Sequence, residues 1–258
     1  MQQWLMMSTL TICLALTSAS YGDTIRVAVG MALAPYVIAE EDTGFELEIV
    51  REALASQGHT LVPVYVSFRR VPELLKQQQV QAAITVTRAT VGDEAYLSAP
   101  YIRYHNVAIA LAKHQLALSS QQDLAKHRIL AFQNAHRYLG PDYYRSIQQS
   151  PDYQEIARQA AQVTMLFGER VDVIVLDINI FNYYRQQQNY VGAEQPVDIF
   201  PLFEPVNYQM AFSRRQWRDD FDRGIAELKR TGRYQQLIES YLGKASLADA
   251  ETTENLAQ

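Results

Sequence analysis

The sequence predicts an α/β fold with a largely parallel sheet. Short apolar runs of strand length recur along the chain, among them TIRVAVG (24–30), VQAAITV (80–86) and VDVIVLD (171–177). Between them lie segments whose apolar residues return at helical spacing. Glycine and proline stand where these segments start or stop. Strands that alternate with helices in this way form βαβ units.

In chain order, TIRVAVG is a buried strand and MALAPYVIAEEDTG a loop. FELEIVREALASQG (45–58) places Phe45, Leu47, Ile49, Val50 and Leu54 on a helix that stops at Gly58. LVPVYVS (61–67) is the second strand, VPELLKQQQ (71–79) a short helix with proline in its first turn, and VQAAITV the third strand. NVAIALAK (106–113) is a strand, DLAKH (123–127) starts a short helix, and RILAFQNA (128–135) is a strand followed by a turn. Residues 136–162 read as helix interrupted near Ser150-Pro151. VDVIVLD is a strand, NIFNYYRQQQ (179–188) a helix, and VDIFPLF (197–203) and YQMAF (208–212) are strands. Residues 217–243 carry Phe221, Ile225, Leu228, Tyr234, Leu237, Ile238 and Tyr241 at helical spacing, broken at Thr231-Gly232. The polar, aperiodic stretch 245–258 reads as a disordered tail.

Composition narrows the function. A net charge of −5 and the lack of a basic face argue against a nucleic-acid partner. Residues 1–22 hold an apolar run from Leu5 to Leu16, too short to span a membrane and followed by small residues, the pattern of a cleaved secretory signal peptide. Cys13 is the only cysteine, so the mature chain is expected to hold no disulfide and no thiolate site. The five histidines are scattered, and neither a metal nor a cofactor is expected.

The order of several short motifs resembles the type 3 family of bacterial extracellular solute-binding proteins. Ala34-Pro35-Tyr36 stands where that family has a Pro-aromatic loop, and Gly44-Phe45-Glu46-Leu47-Glu48 matches its Gly-Phe-acid-x-acid helix start. Leu97-Ser98-Ala99-Pro100-Tyr101 matches its Phe-Ser-x-Pro-Tyr, and Asp123-Leu124-Ala125-Lys126-His127 stands where it has Asp-Leu-x-Gly-Lys before a strand. Gly168-Glu169-Arg170-Val171-Asp172 with Asp177, and Gly232-Arg233-Tyr234 ahead of Leu237, complete the set. The resemblance implies a periplasmic binding protein fold of type II: two α/β lobes joined by two hinge strands, with the ligand in the cleft. Lobe 1 would hold 23–103, lobe 2 would hold 104–207, and 208–244 would return to lobe 1.

The resemblance also nominates ligand-binding residues. Asp177 ends an apolar strand and aligns with the aspartate that takes the ligand's amine; it reads equally as the N-cap of the next helix. Tyr36 matches an aromatic that the family often sets against the ligand side chain, and reads equally as a packed loop tyrosine; Phe68, also a candidate, matches a family aromatic at the lobe surface and reads first as packing. Asn134, His136 and Arg137 lie at a helix start whose N–H groups suit an anion, though His136 and Arg137 read equally as a solvated helix start. Amino-acid-binding members place an arginine six residues before the Phe of Phe-Ser-x-Pro-Tyr, but here that position is Val91. Arg88, just beyond Thr85 and Thr87 at the strand's end, is the nearest cation: it is either the replacement or a surface arginine pairing Asp93 or Glu94.

These residues point to a monomeric periplasmic protein that captures a small polar solute, an amino acid or a related amine or carboxylate. It would deliver that solute to an ABC permease by hinge closure. They do not call for an enzyme. Two alternatives share the fold: a sensory or accessory binding protein without a transporter, and an enzyme resembling cyclohexadienyl dehydratase that uses a cleft carboxylate such as Glu46, Glu48, Asp93, Glu94 or Asp177.

Overall fold

The structure, a computed structural model, describes residues 22–187 and 192–243. The expected signal peptide, apart from Gly22, and the expected tail lie outside the described residues. The chain opens with β1 (Thr24–Gly30), α1 (Phe45–Ala55), β2 (Thr60–Val66), α2 (Val71–Lys76) and β3 (Ala82–Val86). A short helical turn α3 (Arg88–Val91) and the small strands β4 (Tyr96–Leu97) and β5 (Ile102–Tyr104) follow. Next come β6 (Asn106–Leu111), β7 (Arg128–Phe132), α4 (Ala135–Tyr138), α5 (Gly140–Ile147), β8 (Asp152–Ile156) and α6 (Gln159–Phe167). The last part holds β9 (Val173–Asp177), α7 (Ile178–Gln187), β10 (Val197–Phe200), β11 (Val206–Phe212), α8 (Arg215–Arg230) and α9 (Arg233–Leu242).

The strands form two sheets. The first runs β2-β1-β3-β11-β4, and the second β10-β6-β9-β7-β8. β1 lies parallel to β2 from Thr24↔Thr60 to Gly30↔Val66 and parallel to β3. β7 lies parallel to β8 and β9. β5 and β11 pair antiparallel, with Tyr104 opposite Val206 and Ile102 opposite Tyr208. The chain passes from the first sheet to the second after β5 and returns through β11. These two strands therefore form the connection about which the lobes can hinge.

Helices α1, α8 and α9 cover the first sheet. The apolar face expected of α1 is buried at Phe45, Leu47, Ile49, Val50 and Leu54. The central apolar cluster is shared: it joins Tyr36, Phe45 and Ile84 of the first lobe to Leu166, Leu176 and Phe181 of the second through Tyr104. α1 and α8 approach so closely that a Cβ at Gly224 would stand 2.1 Å from the Ala53 carbonyl oxygen.

Two expectations need correction. Residues 152–156 form β8 and not helix; DYQEI takes five parallel pairs from β7, and sheet pairing outweighs its weak intrinsic strand preference. Arg88 does not trail a strand but opens α3, where Thr87 and Thr90 form a reciprocal capping box.

The Gly224 contact yields a prediction. Gly224→Ala forces two helix backbones apart and lowers stability by about 2–3 kcal/mol, read as a shifted urea midpoint with an unchanged slope. An unchanged midpoint would contradict the packing described.

A candidate ligand cleft between the two sheets

Carboxyl ends of parallel strands from both sheets face one cavity, the place where open α/β sheets bind ligands. Met31 and Leu33 follow β1, Phe68 follows β2, and Thr85 sits in β3. Phe132 ends β7, Ala157 follows β8 and Asp177 ends β9. Tyr104 and Tyr208, from the two connecting strands, line it as well. With Asn106, Gln133, Gln159 and Ile180, these residues bound about 440 Å³, counting space open to solvent.

Asp177 is 1% exposed. Its Oδ1 accepts from Tyr36 Oη at 3.1 Å, Asn179 N at 2.9 Å and Ile180 N at 3.2 Å; Oδ2 accepts from His105 N at 2.7 Å. The residue thus caps α7 and also lines the cavity. Among the described residues Oδ2 accepts this one hydrogen bond, and a carboxylate oxygen can accept two. Burial pushes the carboxyl up to about 7, and the four donors hold it there against a further rise. β6 pairs with β9 so that Asn106 lies opposite Asp177, and Asn106 is 3% exposed.

Glu46 is a second buried acid. It accepts hydrogen bonds from Thr85 Oγ1 at 2.7 Å, Tyr101 Oη at 2.5 Å and Tyr104 Oη at 2.7 Å. Burial raises its pKa, and the three hydroxyls oppose the rise. The bond to Thr85 accompanies an unusual backbone: φ is 56° there, a region that β-branched residues rarely enter. The two acids communicate through stacked rings. Tyr36, which donates to Asp177, lies on Tyr104, which donates to Glu46, with centroids 3.8 Å apart and planes 14° apart.

The lobes are closed on one another. Tyr36 of the first lobe bonds Asp177 and receives Asn179 Nδ2 at 3.0 Å from the second. Arg69 N donates to Gln133 Oε1 at 3.3 Å, and Gln159 Nε2 to the Ala32 carbonyl at 3.4 Å. The Phe68 ring meets Tyr138 at 5.5 Å.

Of the nine sequence-nominated residues, Phe68, Thr85 and Asp177 line the cavity and Tyr36 holds Asp177. The others stand elsewhere. The Arg88 side chain is 52% exposed; it donates to the Gly92 and Ala95 carbonyls and lies 3.7 Å from Asp93. The short loop folds this guanidinium back on itself, so Arg88 does not line the cavity in this structure. Thr87 is spent on capping α3. The helix start at Asn134 and His136 is filled by the protein's own Glu155: Asn134 N donates at 2.8 Å, and His136 N at 3.0 Å, while His136 Nδ1 lies 2.7 Å away. The N–H groups expected to receive an anion are already bonded, and Arg137 does not line the cavity. Sequence reasoning missed Tyr104, Asn106, Gln159 and Tyr208 as lining residues; their signal was adjacency to strand ends that only the sheet pairing reveals.

Both acids have raised folded pKa values. Each therefore binds a proton in the folded chain at pH values where the unfolded chain has released it, and stability falls as pH rises through that window. For Asp177 the window runs from 3.8 to about 7. Hydroxyl partners can donate or accept, so Glu46→Gln keeps stability within about 1 kcal/mol at pH near 8 and flattens its pH dependence. Glu46→Ala strands three hydroxyls and costs about 2–4 kcal/mol. Thermal melts across pH check both; equal losses in the two variants would contradict the charge assignment.

The profile of the bacterial extracellular solute-binding proteins, family 3, matches residues 25–244. A search of curated protein sequences finds no relative. Among solved structures, the chain is similar to an ancestral arginine-binding protein bound to arginine, with 16% identity, a TM-score of 0.70, and 85% of this chain and 98% of that one covered. It is similar to a histidine kinase sensor domain likened to periplasmic binding proteins, at 16% identity, TM-score 0.72, and 86% and 97% coverage. A third is an ancestral amino-acid-binding protein described as a precursor of cyclohexadienyl dehydratase, at 16% identity, TM-score 0.69, and 85% and 95% coverage. At such identities the structures establish the periplasmic binding protein type II fold, and the profile establishes the family: this chain belongs to the bacterial extracellular solute-binding proteins, family 3.

Proposed function

We propose that the chain is a periplasmic receptor that closes its lobes on a small polar solute with an amine and passes it to an ABC permease. The observation that carries this is the cleft, where strand ends of both sheets converge on one buried carboxylate, Asp177. An amine meeting Oδ2 gains a charge-assisted hydrogen bond in a site sheltered from water. The contacts that span the lobes, Tyr36 to Asp177 first among them, form on closure and break on opening, which couples occupancy to hinge motion. Phe68, Tyr104 and Tyr208 supply the wall for the solute's body. Capture and release of this kind needs no covalent step, and the chain acts as a binding protein in this reading.

The similarity to a sensor domain supports a second reading, in which the same capture serves a receptor and not a transporter. Loss of solute uptake on gene deletion supports transport; loss of a transcriptional response with uptake intact supports sensing.

Calorimetric titration with amino acids, amines, polyamines and small carboxylates tests the proposal, and silence across the panel would refute it. For the solute that binds, Asp177→Asn lowers affinity about 30-fold through the lost charged partner. Tyr36→Phe lowers it about tenfold, because the closed state loses hydrogen bonds between the lobes. Arg88→Ala leaves it within about twofold, since an exposed ion pair contributes little. Solution scattering shows the accompanying compaction on solute addition.

A further inference from the structure

Resting on the reading of this cleft as the solute site, we propose that its solute is a small organic cation without a carboxylate: a primary amine or alkylammonium carrying an apolar or aromatic body. The cavity's charge is the first reason. Among its lining residues no lysine, arginine or histidine appears, and Asp177 is the one carboxylic acid. A second acid, Glu46, lies directly behind Thr85 and Tyr104. Those two hydroxyls donate their protons to Glu46, so they turn only oxygen lone pairs toward a ligand.

The second reason is that both devices suited to holding an anion are already occupied. The Arg88 guanidinium is bound to the carbonyls of its own loop. The helix-start N–H groups of Asn134 and His136 are closed by Glu155, which also accepts from Tyr153 at 2.6 Å. Partial burial raises the Glu155 pKa, but the bonds from Tyr153, His136 and Asn134 outweigh it and hold the carboxyl below its ordinary range. The anion at this position is the protein's own.

The walls give the third reason. Phe68, Phe132, Tyr104 and Tyr208 surround the space with aromatic surface, and aromatic faces attract cations while they exclude water. Asn106, opposite Asp177 across the strand pair, and Gln159 are neutral polar residues lining the cavity. With Gln133 they can orient a ligand. Neutral amides cannot, however, replace the cation that a ligand carboxylate needs in a water-poor site that already holds two protein acids.

Matched pairs that differ by one carboxylate provide the test. The purified protein is titrated calorimetrically with leucine and isoamylamine, phenylalanine and phenethylamine, tyrosine and tyramine, lysine and cadaverine, and glycine betaine and tetramethylammonium. In the pair that fits, the member without the carboxylate binds at least about 30-fold more tightly. Gln133→Lys places a cation at the cavity, and in that variant the preference within the pair shrinks at least about tenfold or reverses. An amino acid that binds the unmodified protein as tightly as its amine overturns this inference and leaves solute binding standing. No heat from either member of any pair, from free carboxylates or from a metabolite extract overturns the solute-binding reading, and this inference with it.

Discussion

The closed form of this protein depends on how two acids are kept out of water. Asp177 and Glu46 are both essentially inaccessible, and neither has a cation beside it among the described residues. Each is solvated instead by neutral donors: backbone N–H groups and a tyrosine for Asp177, three hydroxyls for Glu46. A buried carboxylate without such donors would be too costly to keep. The donors come from both lobes and from the strands between them, so satisfying the acids also fixes how the lobes meet. The stacked pair Tyr36 and Tyr104 makes this explicit, since each ring serves one acid and leans on the other.

The fold brings this about by sending the chain twice between two sheets. β5 and β11 run side by side, and the residues just inside them, Tyr104 and Tyr208, fall at the bottom of the cleft. Thr85 is held in an unfavourable backbone conformation while its hydroxyl reaches Glu46. Strain kept at the edge of a binding cavity, in an otherwise regular strand end, is what a site built for position and not for stability shows. The cavity that results is acidic at one end and aromatic on its walls.

Much of the fold was legible in the sequence because its strands are short, apolar and punctuated. β3 and β9 announce themselves as continuous buried runs, β1 as an apolar run with Thr24 and Arg26 exposed, and α1, α8 and α9 as amphipathic helices. β8 was hidden because DYQEI is a polar edge strand whose reason to be extended is the pairing offered by β7. The site was only half legible. Asp177 was visible as an acid ending an apolar strand, and Glu46 as part of a motif whose burial the motif does not state. Arg88 and the helix start at Asn134 were visible by type, but the protein groups they bond were not. Whether a cation faces a cleft or its own loop depends on how α3 turns, and whether N–H groups are free depends on Glu155, which lies 21 residues from Asn134 in sequence.

The most direct test of the account is a crystal structure of the protein with the solute it retains through purification. The account predicts a cationic nitrogen within hydrogen-bonding distance of Asp177 Oδ2, the solute's body against Phe68 and Tyr208, and Glu155 still seated on the N–H groups of Asn134 and His136. A solute carboxylate on Arg88, on a helix start from which Glu155 has been displaced, or a solute bound outside the cleft would contradict it.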